Sequence, residues 1–219
     1  MELQGKKINF LGDSITEGVG TSGPEAVYPA LIQKKYGLAA ARNYGISGTR
    51  FARQEALGPD DVWSLNDFSK RCCEMDPDAD AVVVFGGTND FGHGSAPLGT
   101  PDDRTPDTFY GACHYISQKL IEQFPTAQIV FLTPLHRLSE DNPCGDCKPV
   151  PVAALSVYVD IIKEVARFYA IPVLDLFAVS GIQPRVPVIQ ERYVPDGLHP
   201  NDAGQRILAD KIAHFLMTL

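Results

Sequence analysis

A serine hydroxyl becomes a useful nucleophile only beside a base that takes its proton, and an imidazole base works best when a carboxylate fixes its tautomer. This chain carries all three groups. Ser14 stands in Gly12-Asp13-Ser14, directly after an apolar run that reads as the first strand. His199 and Asp196 stand in Asp196-Gly197-Leu198-His199, just ahead of the last helical pattern, and their spacing lets one turn hold both. Such a set hydrolyses esters or related acyl groups through an acyl-enzyme, provided donors wait for the negative oxygen of the tetrahedral intermediate. Two further segments offer them. Asn43-Tyr44-Gly45-Ile46-Ser47-Gly48-Thr49 supplies the unobstructed backbone N–H of Gly48, and Phe85-Gly86-Gly87-Thr88-Asn89-Asp90 supplies the side-chain amide of Asn89. An ionised aspartate in place of Asn89 would only accept hydrogen bonds.

Each residue has a plainer reading when taken alone. Ser14 would cap a helix, and Gly48 would be an ordinary turn glycine. Asn89 would be a turn residue before Asp90, and Asp196 with His199 a structural hydrogen-bonded pair. Asp13 reads as a loop stabiliser that accepts backbone N–H groups rather than as a catalyst.

The order and local context of the four segments, spanning Ile8 to Pro200, resemble the SGNH hydrolase family, also called GDSL esterases. The family's four namesake residues would be Ser14, Gly48, Asn89 and His199. One departure is Ile15, where the family nickname has leucine, an apolar exchange that should leave the chemistry alone. The resemblance implies a three-layer α/β/α sandwich around a parallel sheet of about five strands, flavodoxin-like in layout. It implies catalysis by Ser14, His199 and Asp196, with an oxyanion hole formed by Asn89 and the N–H groups of Gly48 and Ser14. No metal or cofactor is required.

The elements that must position these groups are legible as alternation. Five runs rich in Val, Ile, Leu and Phe read as strands: Lys7 to Leu11, Ala40 to Tyr44, Ala81 to Phe85, Gln128 to Leu132 and Pro172 to Asp175. Helical patterns separate most of them, as parallel strands require. The clearest helix is expected to start at Thr105-Pro106-Asp107 and to bury Phe109, Cys113, Ile116, Leu120 and Phe124. A second is expected from about Val152 to Tyr169, and the last from near Asn201 through Leu208, Ile212, Phe215 and Leu219. Shorter ones are expected near Pro29 to Lys35 and Asp67 to Met75. Ser14, Gly48 and Asn89 then each follow the carboxyl end of a strand, the edge where open parallel sheets bind ligands. The connection from residue 177 to 195 is long enough to hide a short helix or to serve function.

Composition narrows the classes. With 219 residues, 44% of them apolar and 21% charged, the chain suits one globular domain over residues 1–219. No apolar run approaches the ~20 residues of a membrane span. A formal net charge of −8 disfavours nucleic acid as a partner. Without an apolar leader ahead of the first strand, a cytoplasmic location is expected. Five cysteines then read as thiols, with Cys144-Gly145-Asp146-Cys147 as a local disulfide or two plain thiols. Gly18-Val19-Gly20-Thr21-Ser22-Gly23 has dinucleotide-fingerprint spacing but lies too far from the strand, and reads instead as a rim loop over Ser14. The α/β-hydrolase elbow Gly-x-Ser-x-Gly is absent.

His136 and Arg137, after the fourth strand, and His93, after Asn89, are candidate substrate-binding residues, whereas His114 and His214 fall on helices and read as structural. The loops Gly92 to Asp107 and Ser139 to Pro151 are expected to form a polar rim with few residues for a long acyl channel. A short acyl group, acetyl above all, on a small or carbohydrate alcohol is therefore the expected substrate. A lysophospholipase or thioesterase with the same triad is the alternative, and a non-catalytic binding module is a second.

Overall fold

The structure, a computed structural model, describes residues 1–53 and 66–219. Its centre is a five-stranded all-parallel sheet of order β2-β1-β3-β4-β5, with β1 Lys7–Gly12, β2 Ala40–Gly45, β3 Ala81–Phe85, β4 Gln128–Leu132 and β5 Val173–Leu174. Strand alternation sorts the core into two layers. Val82, Val84, Ile129 and Phe131 face one cluster, and Ala81, Val83, Phe85, Val130 and Leu132 the other. The first cluster is closed by helices α5 (Phe109–Gln123) and α6 (Leu155–Phe168), which contribute Ile116, Leu120, Ile161 and Val165. The second is closed by α2 (Tyr28–Tyr36) and α9 (Asp202–Met217), through Tyr28, Ile32, Leu208 and Ile212. The result is the three-layer α/β/α sandwich that the family resemblance implies, with the parallel sheet that the alternation indicated. Among the described residues, no helix is long and apolar enough to cross a membrane.

Several boundaries differ from expectation, chiefly where a loop captures an N–H that a longer helix would have used. Helix α5 starts at Phe109, capped by Thr108, whose Oγ1 accepts from Gly111 N at 3.0 Å. Its first N–H groups, from Phe109 and Tyr110, go to the carbonyls of Pro97 and Leu98, and the Pro106 carbonyl accepts the Arg53 N–H, so the helix does not start at Thr105. Helix α6 begins at Leu155 rather than Val152 because Val152 N donates to Pro143 O. The segment after Asp67 yields one turn, α3 (Phe68–Arg71): Asp67 caps it, but Asp76 N turns away to the Tyr44 hydroxyl at 2.9 Å. Strand β5 pairs at two residues, and Asp175 instead caps α7 (Leu176–Val179) through Ala178 N. The long connection holds α7 and α8 (Pro187–Tyr193). Asn201 caps α9 through Ala203 and Gly204 N–H as expected, and Leu219 lies beyond the helix, exposed.

Strand order reverses between β1 and β3, since β1 is followed in sequence by β2 on one side and by β3 on the other. The crevice at the carboxyl edge there is where such sheets bind ligands. Ser14 opens α1 (Ser14–Glu17) after β1, and Asn89 lies in α4 (Thr88–Gly92) after β3.

Candidate active site

Three groups from opposite ends of the chain meet in one relay. His199 Nε2 lies 3.0 Å from Ser14 Oγ, and His199 Nδ1 lies 2.6 Å from Asp196 Oδ2. Asp196 spends its other oxygen on its own turn, Oδ1 accepting from Leu198 N at 2.9 Å and His199 N at 2.7 Å. Partial burial works to raise the Asp196 pKa, but the hydrogen bonds from His199 N–H, the His199 ring and Leu198 N–H outweigh it and hold the carboxyl below its ordinary range. A carboxylate kept ionised at Nδ1 makes Nδ1 the protonated nitrogen and leaves Nε2 free to accept the serine proton.

The Ser14 turn is built from within. Asp13 is fully buried and its Oδ1 accepts Ile15 N at 3.0 Å, the loop role read from the sequence. Burial drives its pKa up from 3.8 to about 6, with the Ile15 N–H and the charges of His199 and Arg71 opposing the rise. Gly18 closes the single turn in the left-handed region, φ 111°, returning its N–H to Ser14 O. Gln205, wholly buried on α9, braces the turn from below with Nε2 on Ile15 O at 3.0 Å.

Gly48 sits at φ 75°, a conformation that suits glycine. The loop before it is held by Glu17, whose Oε2 takes both the N–H (2.7 Å) and the hydroxyl of Ser47. Thr49 O accepts from Asn89 Nδ2 at 3.0 Å, so the second and third segments touch next to Gly48. One of the two Asn89 amide hydrogens is thereby used, and among the described residues the other has no acceptor. The Ser14 N–H, at the first position of a helix, has no intrahelical acceptor.

The buried guanidinium of Arg71 binds these loops together. Nη2 donates to Gly12 O at 3.1 Å and to Thr49 Oγ1 at 2.7 Å, Nη1 to Tyr44 O at 2.6 Å, and Nε to Asn66 O at 2.6 Å. Burial lowers its pKa to about 10, against the attraction of Asp13 and Asp67, so it stays charged at neutral pH. Sequence reasoning did not find Arg71. The available signal was a cation among Phe68, Cys72 and Met75, a face that is otherwise apolar and buried. Asp90, also fully buried, accepts Phe51 N and Ala52 N at 2.9 Å each and secures the chain beyond Thr49.

The remaining candidates lie around this centre with different partners. His93 caps α4, its Nε2 3.1 Å from Asn89 Oδ1 and its Nδ1 3.3 Å from Arg50 Nη1. Arg137 is 5% exposed; its Nη2 grips both oxygens of Asp146 at 2.6 Å and its Nη1 reaches Thr88 O and Oγ1 at 3.3 Å. It thus ties the loop of residues 139–151 to α4. His136 is turned to Glu140 Oε2 at 2.8 Å, with its ring 3.8 Å from that of Phe177. His114 and His214 are structural as read: one meets the Tyr169 hydroxyl at 3.3 Å, the other its own helix at Asp210 O. The glycine-rich loop lies against His199, Gly20 coming so close that a methyl there would stand 3.2 Å from His199 Cβ. Cys144 and Cys147, like the other three cysteines, are free thiols. Among the described residues, no group of three or more His, Cys, Asp and Glu is arranged to hold a metal ion.

Comparison with known proteins points the same way as the geometry. The profile of the GDSL-like lipase/acylhydrolase family matches residues 10–207. One solved structure is 32% identical, covering 100% of this chain and 99% of that chain at a TM-score of 0.85. A protein from Lactobacillus plantarum is 28% identical, with 98% of each chain covered and a TM-score of 0.83. A carbohydrate acetylesterase family member from Sinorhizobium meliloti shares the fold at 19% identity, 97% and 98% coverage and a TM-score of 0.65. No curated protein matches.

Proposed function

The chain belongs to the GDSL-like lipase/acylhydrolase family, and from that premise we propose that residues 1–219 form one serine hydrolase domain that cleaves short-acyl esters, acetyl above all, of a small or carbohydrate alcohol. The observation that carries this is the relay of Ser14 Oγ, His199 and Asp196 with separations of 3.0 and 2.6 Å. Ser14 Oγ attacks the ester carbonyl carbon while His199 Nε2 takes its proton. The carbonyl oxygen becomes an oxyanion, received by Asn89 Nδ2 and the N–H groups of Gly48 and Ser14, at the positive end of α1. The tetrahedral adduct collapses, His199 returns the proton to the leaving alcohol, and an acyl-Ser14 ester remains. Water, deprotonated by the same imidazole, attacks that ester and releases the acid. Asp196 stays ionised throughout and supports the imidazolium.

The short-acyl preference is supported by the rim. The loop of residues 139–151 is pinned onto α4 by Arg137, and Asp146 N donates to Gly92 O at 2.7 Å, leaving a polar margin beside Asn89. The fold neighbour from Sinorhizobium meliloti, described as a carbohydrate acetylesterase family member, lends this reading support by analogy. The lysophospholipase or thioesterase reading draws on Val19, Ile46 and Leu138, exposed apolar side chains on the segments that carry Ser14, Gly48 and the support of His199. A cytoplasmic setting fits the five free thiols.

Nitrophenyl esters from acetate to octanoate, assayed beside Ser14→Ala, test mechanism and substrate together. Activity is expected to peak at acetate or propionate and to vanish in the variant, and a peak at octanoate would favour the longer-acyl reading. A fluorophosphonate should label Ser14; an unreactive Ser14 would make the fold a binding module.

A further inference from the structure

Asn89 can serve an oxyanion only if its amide presents nitrogen, because the same side chain turned over presents an acceptor to a negative charge. Two contacts on the far side of the amide decide which atom faces which way. Thr49 O, 3.0 Å from Nδ2, requires a donor. His93 Nε2, 3.1 Å from Oδ1, is the second contact, and its own chemistry is decided one step further back. Arg50 Nη1 lies 3.3 Å from His93 Nδ1, and a guanidinium has donors alone, so Nδ1 must carry the lone pair and Nε2 the hydrogen. A ring in that tautomer can meet Asn89 only at its oxygen. We propose that His93 is a positioning residue for the oxyanion hole, relaying the donor character of Arg50 to Asn89 so that the Asn89 amide nitrogen faces the reacting carbonyl. This rests on the reading of Asn89 as an oxyanion donor.

Geometry and charge around the ring agree. His93 follows α4 with its backbone N–H on Asn89 O at 3.0 Å, so the two side chains leave one turn together. Burial, with Arg50, Arg137 and Lys148 near and Asp146 opposing them, lowers the ring's pKa to about 4, so it stays neutral where an esterase works. A protonated ring would turn a donor on Arg50 and break the sequence of bonds.

The test compares substitutions that keep one nitrogen position or neither. His93→Gln can still place an amide donor where Nε2 stood. His93→Asn reaches only the Nδ1 position, and His93→Leu reaches neither. Loss of one neutral hydrogen bond predicts that His93→Leu and His93→Asn lower kcat for nitrophenyl acetate about tenfold with KM within about twofold. His93→Gln should recover most of that loss. Affinity for an alkyl boronic acid, which forms a tetrahedral adduct on the serine, should fall by the same factor as kcat. In an Asn89→Ala background, His93→Leu should change nothing further, because the two residues act as one unit.

Wild-type kcat in His93→Leu and His93→Asn, beside a slow Asn89→Ala, would overturn the proposal and leave the oxyanion reading of Asn89 intact. A loss that Gln does not recover, or that adds in full to Asn89→Ala, would mean packing and would also overturn it. Wild-type kcat in Asn89→Ala itself would remove the reading beneath. If His93→Leu fails to fold, the contrast between Asn and Gln decides alone.

Discussion

Leu138 closes over Gly197. Its N–H donates to Gly197 O at 3.2 Å, and a methyl placed on Gly197 would stand 2.3 Å from Leu138 Cδ1 and 2.5 Å from Cγ. Gly197 is also at φ 80°, and it sits between Asp196 and His199 in the turn that carries both. The loop after β4 therefore presses on the turn that holds the base, and only a residue without Cβ fits beneath it.

Gly197→Ala should accordingly cost at least about 2 kcal/mol in urea unfolding, combining left-handed strain of about 1–2 kcal/mol with the clash. It should lower kcat at least about tenfold, because the imidazole shifts with its turn. Adding Leu138→Ala should recover part of both losses by removing the clash while the strain persists. Unchanged activity in Gly197→Ala would mean that the turn tolerates displacement.

Removing the carboxylate charge at Asp196 tests the orientation of the base. Asp196→Asn still offers an oxygen to Leu198 and His199 N–H, but it cannot support an imidazolium, so kcat should fall by about a hundredfold or more. The fold should be unaffected, since the side chain is 54% exposed. A steady-state kinetic comparison with matched circular dichroism checks both halves.

Arg71 should matter to stability and activity together. Arg71→Met strands the carbonyls of Gly12, Tyr44 and Asn66 and loosens the loops of Ser14 and Gly48, with an expected cost of about 3–5 kcal/mol. Arg71→Lys should recover little, because one ammonium cannot span acceptors that a planar fork reaches on three sides. Denaturant titration of both variants reads this directly, and near-complete recovery by lysine would refute it.

Asp13 sets a pH dependence of stability. Its folded pKa of about 6 stands above the ordinary 3.8. Between those values the folded chain binds a proton that the unfolded chain has released, so the contribution of Asp13 falls as pH rises through the window. Above it the fold carries the full cost of a buried carboxylate. Asp13→Asn keeps an oxygen for Ile15 N and removes the charge. It should raise the unfolding free energy by about 1–3 kcal/mol near pH 8, with the gain gone near pH 4. A gain that is equal at both pH values would rule out this account.

Much of this architecture was legible from the chain, for identifiable reasons. Strand positions came through because Ile8 to Leu11 and Ala81 to Phe85 are rich in apolar residues, with turn residues close behind. The candidate-site segments were legible because each combines a side chain capable of chemistry with glycine or proline in a short turn, and the structure brings them together. What escaped was decided by long-range capture. No local pattern reveals that Pro97 and Leu98 would take the first N–H groups of α5, moving its cap from Thr105 to Thr108. Nor does spacing reveal that Arg71 reaches the carbonyls of Gly12 and Tyr44 at the ends of β1 and β2 and that of Asn66, or that His93 turns to Asn89 and Arg50. Most of these are agreements between residues far apart in sequence, and periodicity carries no record of them.

Asp196 and His199 share one turn that carries their mutual bond, while Ser14 opens α1 directly after β1. Parting the turn from the rest of the fold would break the contact of Ser14 with His199 and the bond from Leu138 N–H to Gly197 O, yet leave the Asp196–His199 contact, internal to the turn, in place. On the proposed mechanism, imidazole and carboxylate would then move together, and bringing the turn back to Ser14 would be enough to re-form the relay.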